Sequence, residues 1–245
     1  MPVQVRAWDS RFFGYPVASA ELGPAVPALA AVVDILQEAR QAGIRLLYLS
    51  LPPLGNDLRR AVERAGARFV GRRREYAMAA HMPPPAAVQP DLVTCREHRA
   101  PLEALALASG EQSRFRLDPG FQNREFERLY AEWLAVALRG EGGKCAFVAG
   151  SRDAPRGLIT VEPGPAARIG LLAVAADQRG RGLGRRLVAE AERFCVERGI
   201  GELRVATQAA NPAACRLYEA CGFQPIADTD WFHAWSPISA PTRRP

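Results

Sequence analysis

The residues with the clearest chemical potential form a glycine-rich segment, Gln178–Arg186, between an apolar run and an amphipathic run. Three glycines stand at alternate positions: Gly180, Gly182 and Gly184. Glycine lets the backbone turn tightly and lets its N–H groups approach an anion closely. A helix that begins here adds unpaired N–H groups and the positive end of its dipole. Three arginines add charge: Arg179, Arg181 and Arg185. The segment is therefore predicted to hold a pyrophosphate.

Two other glycine-rich phosphate loops do not fit this segment. A nucleotide-binding P-loop needs GxxxxGK[ST], and no Lys-Ser or Lys-Thr pair follows here. A dinucleotide-binding loop needs GxGxxG, and GRGLGR is one residue too short. From the loop alone, a plain glycine-rich turn with a solvated basic face stays open.

A second block, NPAACRLYEACGF at residues 211–223, favours the pyrophosphate loop over a plain turn. A strand followed by [RQ]xxGxG and a helix, and then by NxxAxxxYxxxGF, resembles the GCN5-related N-acetyltransferase (GNAT) superfamily. Arg179, Gly182 and Gly184 match its pyrophosphate signature. The resemblance covers roughly residues 91–235. It implies an α/β (α+β) fold with a mixed, mostly antiparallel sheet flanked by helices.

The resemblance also implies an acetyl-CoA site and no metal. The backbone of β-strand residues would pair with the pantetheine arm: Leu172, Ala173 and Val174. The loop would hold the pyrophosphate through its amides: Arg179, Gly180, Arg181, Gly182, Leu183, Gly184 and Arg185. Asn211 would bond to the arm near the thioester, and Tyr218 would lie near the sulfur.

Acetyl transfer needs a neutral amine, a donor for the thioester oxygen and a proton for the leaving thiolate. A backbone N–H of the strand that ends at Val174 is the predicted donor. Tyr218 is the candidate acid, although a tyrosine on a helix face is also a common core residue. Glu162 is the candidate base because we expect it at a strand end that faces the loop. A solvated carboxylate at Glu162, with a water relay in its place, stays an alternative.

Three further segments resemble dTDP-4-amino-4,6-dideoxygalactose (dTDP-fucosamine) N-acetyltransferases: WDSRFFG at 8–14, SRFRLDPGF at 113–121 and WFHAW at 231–235. That resemblance implies a dTDP-linked amino sugar as the acceptor. Arg114 and Arg116 would meet its pyrophosphate, while Phe115, Phe121 or Trp231 would stack on a base or sugar face. The alternative without a substrate role is that SRFRLDPGF is an ordinary loop between two helices and that its aromatic side chains pack in the core. In WDSRFFG we expect packed aromatics, with Asp9 and Ser10 in a turn.

The elements that position these residues fall on either side of a proline-rich break. Residues 1–80 are predicted as a smaller N-terminal α/β domain, 81–90 as the linker, 91–236 as the transferase domain and 237–245 as a flexible tail. The apolar fraction of 48% supports an ordinary core. Within 91–236 we expect strands around the runs CAFVAGS, GLITVEP, ARIGLLAVA and ELRVATQ, with helices after the glycine loop and after Asn211.

Composition limits the remaining function classes. The net charge of +6 is carried almost wholly by arginine, which fits either a composition bias or an anionic partner. The five scattered cysteines include no CxxC pair, so a disulfide framework or zinc site is not expected. With no apolar run of membrane length and no signal peptide, we expect a cytoplasmic protein. The basic clusters lack interleaved aromatics, which disfavours nucleic acid.

Alternatives to the amino sugar remain at this stage. They are a protein N-terminus or another small-molecule amine as acceptor, and a non-catalytic acyl-CoA sensor, which Tyr218 disfavours. A homodimer is also possible.

Overall fold

The computed structural model describes residues 3–82, 92–151 and 153–236, which divide into two compact units. Unit 1 contains the chain up to Arg73, the short segment Asp118–Gly120 and the residues from Asp228 onward. Unit 2 contains Arg74–Leu117 and Phe121–Ala227. Most of the predicted linker 81–90 and the whole predicted tail 237–245 lie outside the described residues.

Unit 1 alternates strands and helices along the chain. Its helices are α1 (Ala7–Phe13), α2 (Leu29–Gln41) and α3 (Asn56–Arg64). Its strands are β1 (Val3–Val5), β2 (Val17–Glu21), β3 (Leu46–Leu51), the first part of β4 (Arg68–Ala79) and the last part of β10 (Gln224–Trp235). They lie in the order β1-β2-β3-β10-β4. β2 pairs antiparallel with β1 and parallel with β3, and β3 pairs antiparallel with β10.

The core of unit 1 follows from the apolar spacing of α2 and β3. Val32, Ile35, Leu36 and Ala39 recur at helical spacing and are all buried, so one face of α2 covers the sheet. Every residue of β3 is buried. Phe232 and Ala234 of β10 belong to the same apolar cluster. The other face of β10 is therefore left for the side chains at alternate positions.

The segment WDSRFFG is helical, so the predicted turn at Asp9 and Ser10 is wrong. These residues form α1, which ends at Gly14 in the left-handed region, with φ 80°. The Ser10 hydroxyl donates to the Arg6 carbonyl one turn earlier, and the Trp8 and Phe12 rings stack with centroids 5.0 Å apart. These i, i+4 contacts stabilise a helix that has no capping side chain.

Unit 2 is built on a mixed sheet. Its strands are β5 (Leu92–Thr94), β6 (Cys145–Gly150), β7 (Pro155–Glu162), β8 (Ala167–Val174), β9 (Glu202–Gln208) and the remaining parts of β4 and β10. β4 to β9 lie in the order β4-β9-β8-β7-β6-β5. β8 pairs parallel with β9, while the β8-β7, β7-β6 and β6-β5 pairs are antiparallel. The predicted mixed, mostly antiparallel sheet is confirmed.

The helices of unit 2 are α4 (Ala100–Ser109), α5 (Arg114–Leu117), α6 (Glu125–Arg139), α7 (Leu183–Glu197) and α8 (Pro212–Ala220). α4 and α7 both contact β7 and β8. On α7, Leu187, Val188, Ala191 and Phe194 are buried at helical spacing in the main apolar cluster of the unit. This packing fixes where α7 begins, directly after the glycine-rich loop.

Candidate functional site

The sheet of unit 2 opens between β8 and β9. Their pairing covers Ala167–Ile169 and Leu203–Val205 only, whereas β8 continues to Val174 and β9 to Gln208. Beyond Ile169 the backbone of β8 therefore faces β9 without a ladder between them. Backbone N–H and C=O groups left in this way need another partner, and an extended ligand arm can supply one.

A bulge on β8 decides which of its backbone groups face that opening. The pairing of β7 with β8 shifts register between Ile159 and Val161, and the Leu171 N–H donates to the Thr160 hydroxyl at 2.8 Å. The Ala175 N–H donates to the Arg156 carbonyl, also on β7. Because backbone groups alternate in direction along a strand, Leu172 and Val174 face β9. Ala173 faces β7, where Leu158 is its register partner.

The glycine-rich loop follows β8 directly. Gly180 and Gly182 have φ of 75° and 80°, in the left-handed region, and a Cβ at either position would meet nothing within 4 Å. Glycine is therefore needed here for its backbone conformation rather than for space. Gly184 differs, because its Cβ would lie 3.1 Å from the Leu217 side chain. It permits the close approach of α7 and α8.

The N-terminus of α7 supplies donors at the end of this loop. Gly182 is the N-cap, and the Arg186 N–H makes the first intrahelical bond, to the Gly182 carbonyl. The N–H groups of Leu183, Gly184 and Arg185 precede that bond and have no partner within the helix. Arg179, Arg181 and Arg185 are exposed. The site combines oriented N–H groups with positive charge, as an anion requires.

Arg179 already bridges the loop and the strand. Its Nε donates to the Val174 carbonyl at 3.2 Å. That carbonyl belongs to the backbone that faces β9, so loop and strand form one continuous surface.

Asn211 lies at the N-cap of α8, three residues after the end of β9. Its side-chain oxygen accepts from the Ala214 N–H at 3.1 Å, and Pro212 occupies the first helical position. The capping bond fixes the side chain and uses its oxygen, while the amide nitrogen remains a donor.

Tyr218 is buried on α8, in the same apolar cluster that Leu172 and Val174 border. Its ring lies 5.6 Å from Phe223 and 5.9 Å from Tyr76. Burial first, and then the nearby Cys221 and Cys215, raise the pKa of the Tyr218 hydroxyl. The phenol is therefore protonated at neutral pH, which allows it to donate a proton and not to act as a base.

The structure does not bring Glu162 to the loop. Glu162 is the register partner of Arg168, at the start of β8, whereas Val174 at the other end pairs with Gly157. The five residue steps from Gly157 to Glu162 span about 17 Å of strand. The Glu162 carboxylate is half exposed and pairs with Lys144 at 3.2 Å. The expectation that it faces the loop is wrong.

Four of the predicted acceptor residues cluster in unit 2. The Phe115 ring is buried and lies 5.4 Å from Phe121 and 5.7 Å from Trp133. The Arg114 guanidinium stacks over Phe115 at 4.5 Å. Arg116 is exposed, with its Nη1 4.0 Å from a Glu127 oxygen. Phe115 thus packs as a core side chain, while both arginines and Phe121 reach the surface at least partly.

The fifth predicted acceptor residue, Trp231, lies in unit 1. It is half-buried on β10, opposite Ser50 of β3.

The sequence analysis did not predict a buried polar cluster that includes two residues of β10. His233 and Asp118 are both buried, and His233 Nδ1 lies 2.6 Å from Asp118 Oδ2. Trp235 Nε1 donates to the same oxygen at 2.8 Å. The two residue types occur in the quoted motifs, but nothing in their spacing indicates that they pair.

The part of the chain that the structure describes contains no group of three or more His, Cys, Asp or Glu side chains able to hold a metal ion. Within the same residues, no helix is both long enough and apolar enough to cross a membrane.

Comparison with known proteins agrees with this geometry. Residues 105–223 match the family model described as the acetyltransferase (GNAT) family. A dTDP-fucosamine acetyltransferase from Escherichia coli O6:H1 is 36% identical over 135 residues, which are 54% of this chain and 57% of that protein. The alignment thus spans just over half the length of this relative.

Solved structures share the fold at low identity. A functionally unknown protein from Staphylococcus epidermidis has a TM-score of 0.60 at 12% identity, over 91% of this chain and 85% of its own. A GCN5-related N-acetyltransferase from Sphaerobacter thermophilus has a TM-score of 0.57 at 17% identity, over 91% and 75%.

Proposed function

We propose that this protein transfers the acetyl group of acetyl-CoA to an amine, since residues 105–223 match the family model of the GNAT acetyltransferases. One observation carries the proposal. The glycine-rich loop and the N-terminus of α7 directly follow β8, at the place where β8 separates from β9. A pyrophosphate and an extended amide-containing arm are the two parts of coenzyme A that such a surface suits.

In this proposal the loop amides from Arg179 to Arg185 bind the pyrophosphate, with the arginine side chains adding charge. Leu172 and Val174 present their backbone groups to the amides of the pantetheine arm. Ala173, which faces β7, supports the strand rather than the arm. Asn211 donates its amide nitrogen near the thioester.

The transfer makes a C–N bond and breaks a C–S bond. The amine attacks the thioester carbonyl, and the charge that develops on oxygen is stabilised by a backbone N–H of β8 that faces the opening. The Tyr218 hydroxyl gives its proton to the departing thiolate. The amine loses its proton to water, because Glu162 lies at the far end of β7 and does not face the loop.

The proposed acceptor is the amine of a nucleotide-linked amino sugar, most simply a dTDP-4-amino-6-deoxyhexose. The relative named dTDP-fucosamine acetyltransferase supports this choice. Arg114 and Arg116 carry charges suited to a diphosphate. Phe121 and Trp231 are half-buried rings with surface for stacking, whereas Phe115 is buried and packs against Phe121 from the core of unit 2.

The test follows thiol release from acetyl-CoA with a panel of amines. The panel contains a dTDP-4-amino-6-deoxyhexose, the free amino sugar, a polyamine and peptides with free N-termini. We expect release with the nucleotide sugar and much less with the free sugar, since the free sugar lacks the diphosphate. Release only with peptides or polyamines would overturn the acceptor. Tight binding of acetyl-CoA with no release for any amine would overturn transfer and favour a non-catalytic binding protein.

A further inference from the structure

The three segments that set this chain apart from a minimal acetyl-CoA site meet within unit 1. Tyr48 of β3 donates its hydroxyl to Asp9 of the WDSRFFG segment at 3.4 Å. The Tyr48 ring lies 5.1 Å from His233 of the WFHAW segment. His233 in turn contacts Asp118 of the SRFRLDPGF segment. One chain of contacts thus joins residues far apart in sequence.

The Asp118 carboxylate is the centre of this cluster. It accepts from His233 Nδ1 and Trp235 Nε1 through one oxygen and from the Gly120 N–H, at 2.9 Å, through the other. Burial raises the pKa of Asp118, but its bonds from His233, Gly120 and Trp235 outweigh this and lower it, so the carboxylate is ionised at neutral pH and His233 Nδ1 carries the proton. Three donors compensate the charge of a side chain that is almost fully buried.

Gly120 packs directly against the Trp235 indole, where there is no room for a side chain. A Cβ at this position would lie 2.2 Å from Trp235 Nε1 and 2.3 Å from its ring carbon. The backbone of Asp118–Gly120 therefore lies against the indole and is bonded to Asp118 at the same time. Only glycine allows both.

This cluster shares a face of β10 with Trp231. Phe232 and Ala234 point into the apolar core of unit 1, so the side chains of Trp231, His233 and Trp235 lie on the opposite face. The segment that Asp118 anchors is also flanked in the chain by Arg116 and Phe121. Residues proposed to contact the acceptor thus adjoin the anchor on the strand and along the chain.

Stability alone does not explain such an anchor. Replacing a buried charged cluster with packed apolar side chains is often neutral or stabilising. What a hydrogen-bonded carboxylate adds is a single fixed geometry for the groups that it joins.

We propose that Asp118 and His233 are positioning residues for acceptor recognition, holding Asp118–Gly120 against the face of β10 that carries Trp231. The inference rests on the acceptor assignment of the proposed function. Neither residue touches the acceptor, because both are buried.

The test compares Asp118→Asn with Asp230→Asn. Asp230 is a matched control, since it is also a buried aspartate but binds Arg72 and the Leu54 N–H instead. In Asp118→Asn one end of the amide donates, so at least one of the three donors loses its acceptor. We expect the KM for the acceptor to rise about 10-fold or more, since charge-assisted hydrogen bonds are involved. The KM for acetyl-CoA stays within about twofold. Asp230→Asn lowers Tm and leaves both KM values unchanged.

Variants of His233 and Trp235 distinguish a role in positioning the acceptor residues from a general loss of folding. His233→Asn keeps a donor near the Nδ1 position and is expected to keep the acceptor KM close to wild type, whereas His233→Leu raises it. Trp235→Phe removes one donor and provides a milder test if Asp118→Asn does not fold.

The outcomes are distinct. An acceptor KM that is unchanged in Asp118→Asn and Trp235→Phe, or raised equally in Asp230→Asn, overturns the positioning role while acetyl transfer stands. No thiol release by the wild-type protein with any amine refutes the proposed function, and the inference falls with it.

Discussion

Replacing Gly182 with alanine separates the binding role of the glycine-rich loop from its role in stability. Gly182 begins α7 with φ 80°, and Gly199 follows the end of the same helix with φ 67°. A Cβ at either position meets nothing within 4 Å. Both substitutions therefore impose backbone strain alone, of about 1–2 kcal/mol. Gly199→Ala is the matched control.

The strain has different consequences at the two positions. At Gly199 it lowers the free energy of unfolding, which corresponds to a fall in Tm of roughly 2–8 °C for a chain of this size. At Gly182 the exposed loop can change its backbone conformation in the free protein and so avoid the strain. When the ligand binds, the loop needs φ above zero again, and the strain then weakens binding. A binding cost of about 1–2 kcal/mol is a loss of roughly 5–30-fold in affinity for acetyl-CoA.

The assay pairs titration calorimetry with coenzyme A and the KM for acetyl-CoA with thermal unfolding. We expect weaker binding in Gly182→Ala only, with a Tm at or above that of Gly199→Ala. Equal affinities in both variants would refute the assignment of the loop as the pyrophosphate site. A loss of affinity in both Gly182→Ala and Gly199→Ala, in proportion to their loss of stability, would also refute it.

Three other substitutions test the remaining parts of the site. Tyr218→Phe removes the proton donor and should lower kcat by about 100-fold or more at unchanged KM for acetyl-CoA; full turnover in steady-state assays would remove the acid role. Asn211→Asp keeps the oxygen that caps α8 but not the amide donor, so Tm in thermal melts stays near wild type while affinity for acetyl-CoA falls; unchanged affinity contradicts the donor role. Burial raises the pKa of Asp118, but its bonds from His233, Gly120 and Trp235 outweigh this and lower it. Its contribution to stability is therefore complete above the ordinary pKa of about 4 and is lost as pH falls through the lower folded value. Urea unfolding should show wild type and Asp118→Asn converging in acid, and a constant difference from pH 7 to pH 2 would contradict this.

Local patterns were sufficient to predict most elements of unit 2. The strands β6 to β9 and the helices α7 and α8 each carry their own apolar period, and β6, β7, α7 and α8 end within two residues of a glycine or proline, so no distant residue is needed to define them. Helix α1 was missed because its signals are weak. It has seven residues and no capping side chain, and the run WDSRFFG does not by itself show that Trp8 and Phe12 stack at helical spacing.

Strand direction explains why Glu162 was misplaced. Because β7 runs antiparallel to β8, the end of β7 lies beside the start of β8, where Glu162 pairs with Arg168, and not beside the loop that follows the end of β8. Nothing in the run GLITVEP contains that information, because it depends on the turn that joins β7 to β8.

The residues proposed to bind the acetyl donor are close together in the sequence, whereas those on the proposed acceptor side are far apart. The proposed acetyl-CoA surface is nearly contiguous in the chain, since β8, the loop and the start of α7 follow one another closely, and a local motif is enough to indicate it. The proposed acceptor side depends on Asp118 meeting His233 and Trp235, more than a hundred residues later. The family match at 105–223 includes Asp118 but neither of its side-chain donors, nor Trp231. The match to the family model therefore supports the acetyl donor and carries no information about those groups. Acceptor specificity has to be tested through the β10 side chains that bond to Asp118, which Asp118→Asn disturbs and Asp230→Asn leaves in place.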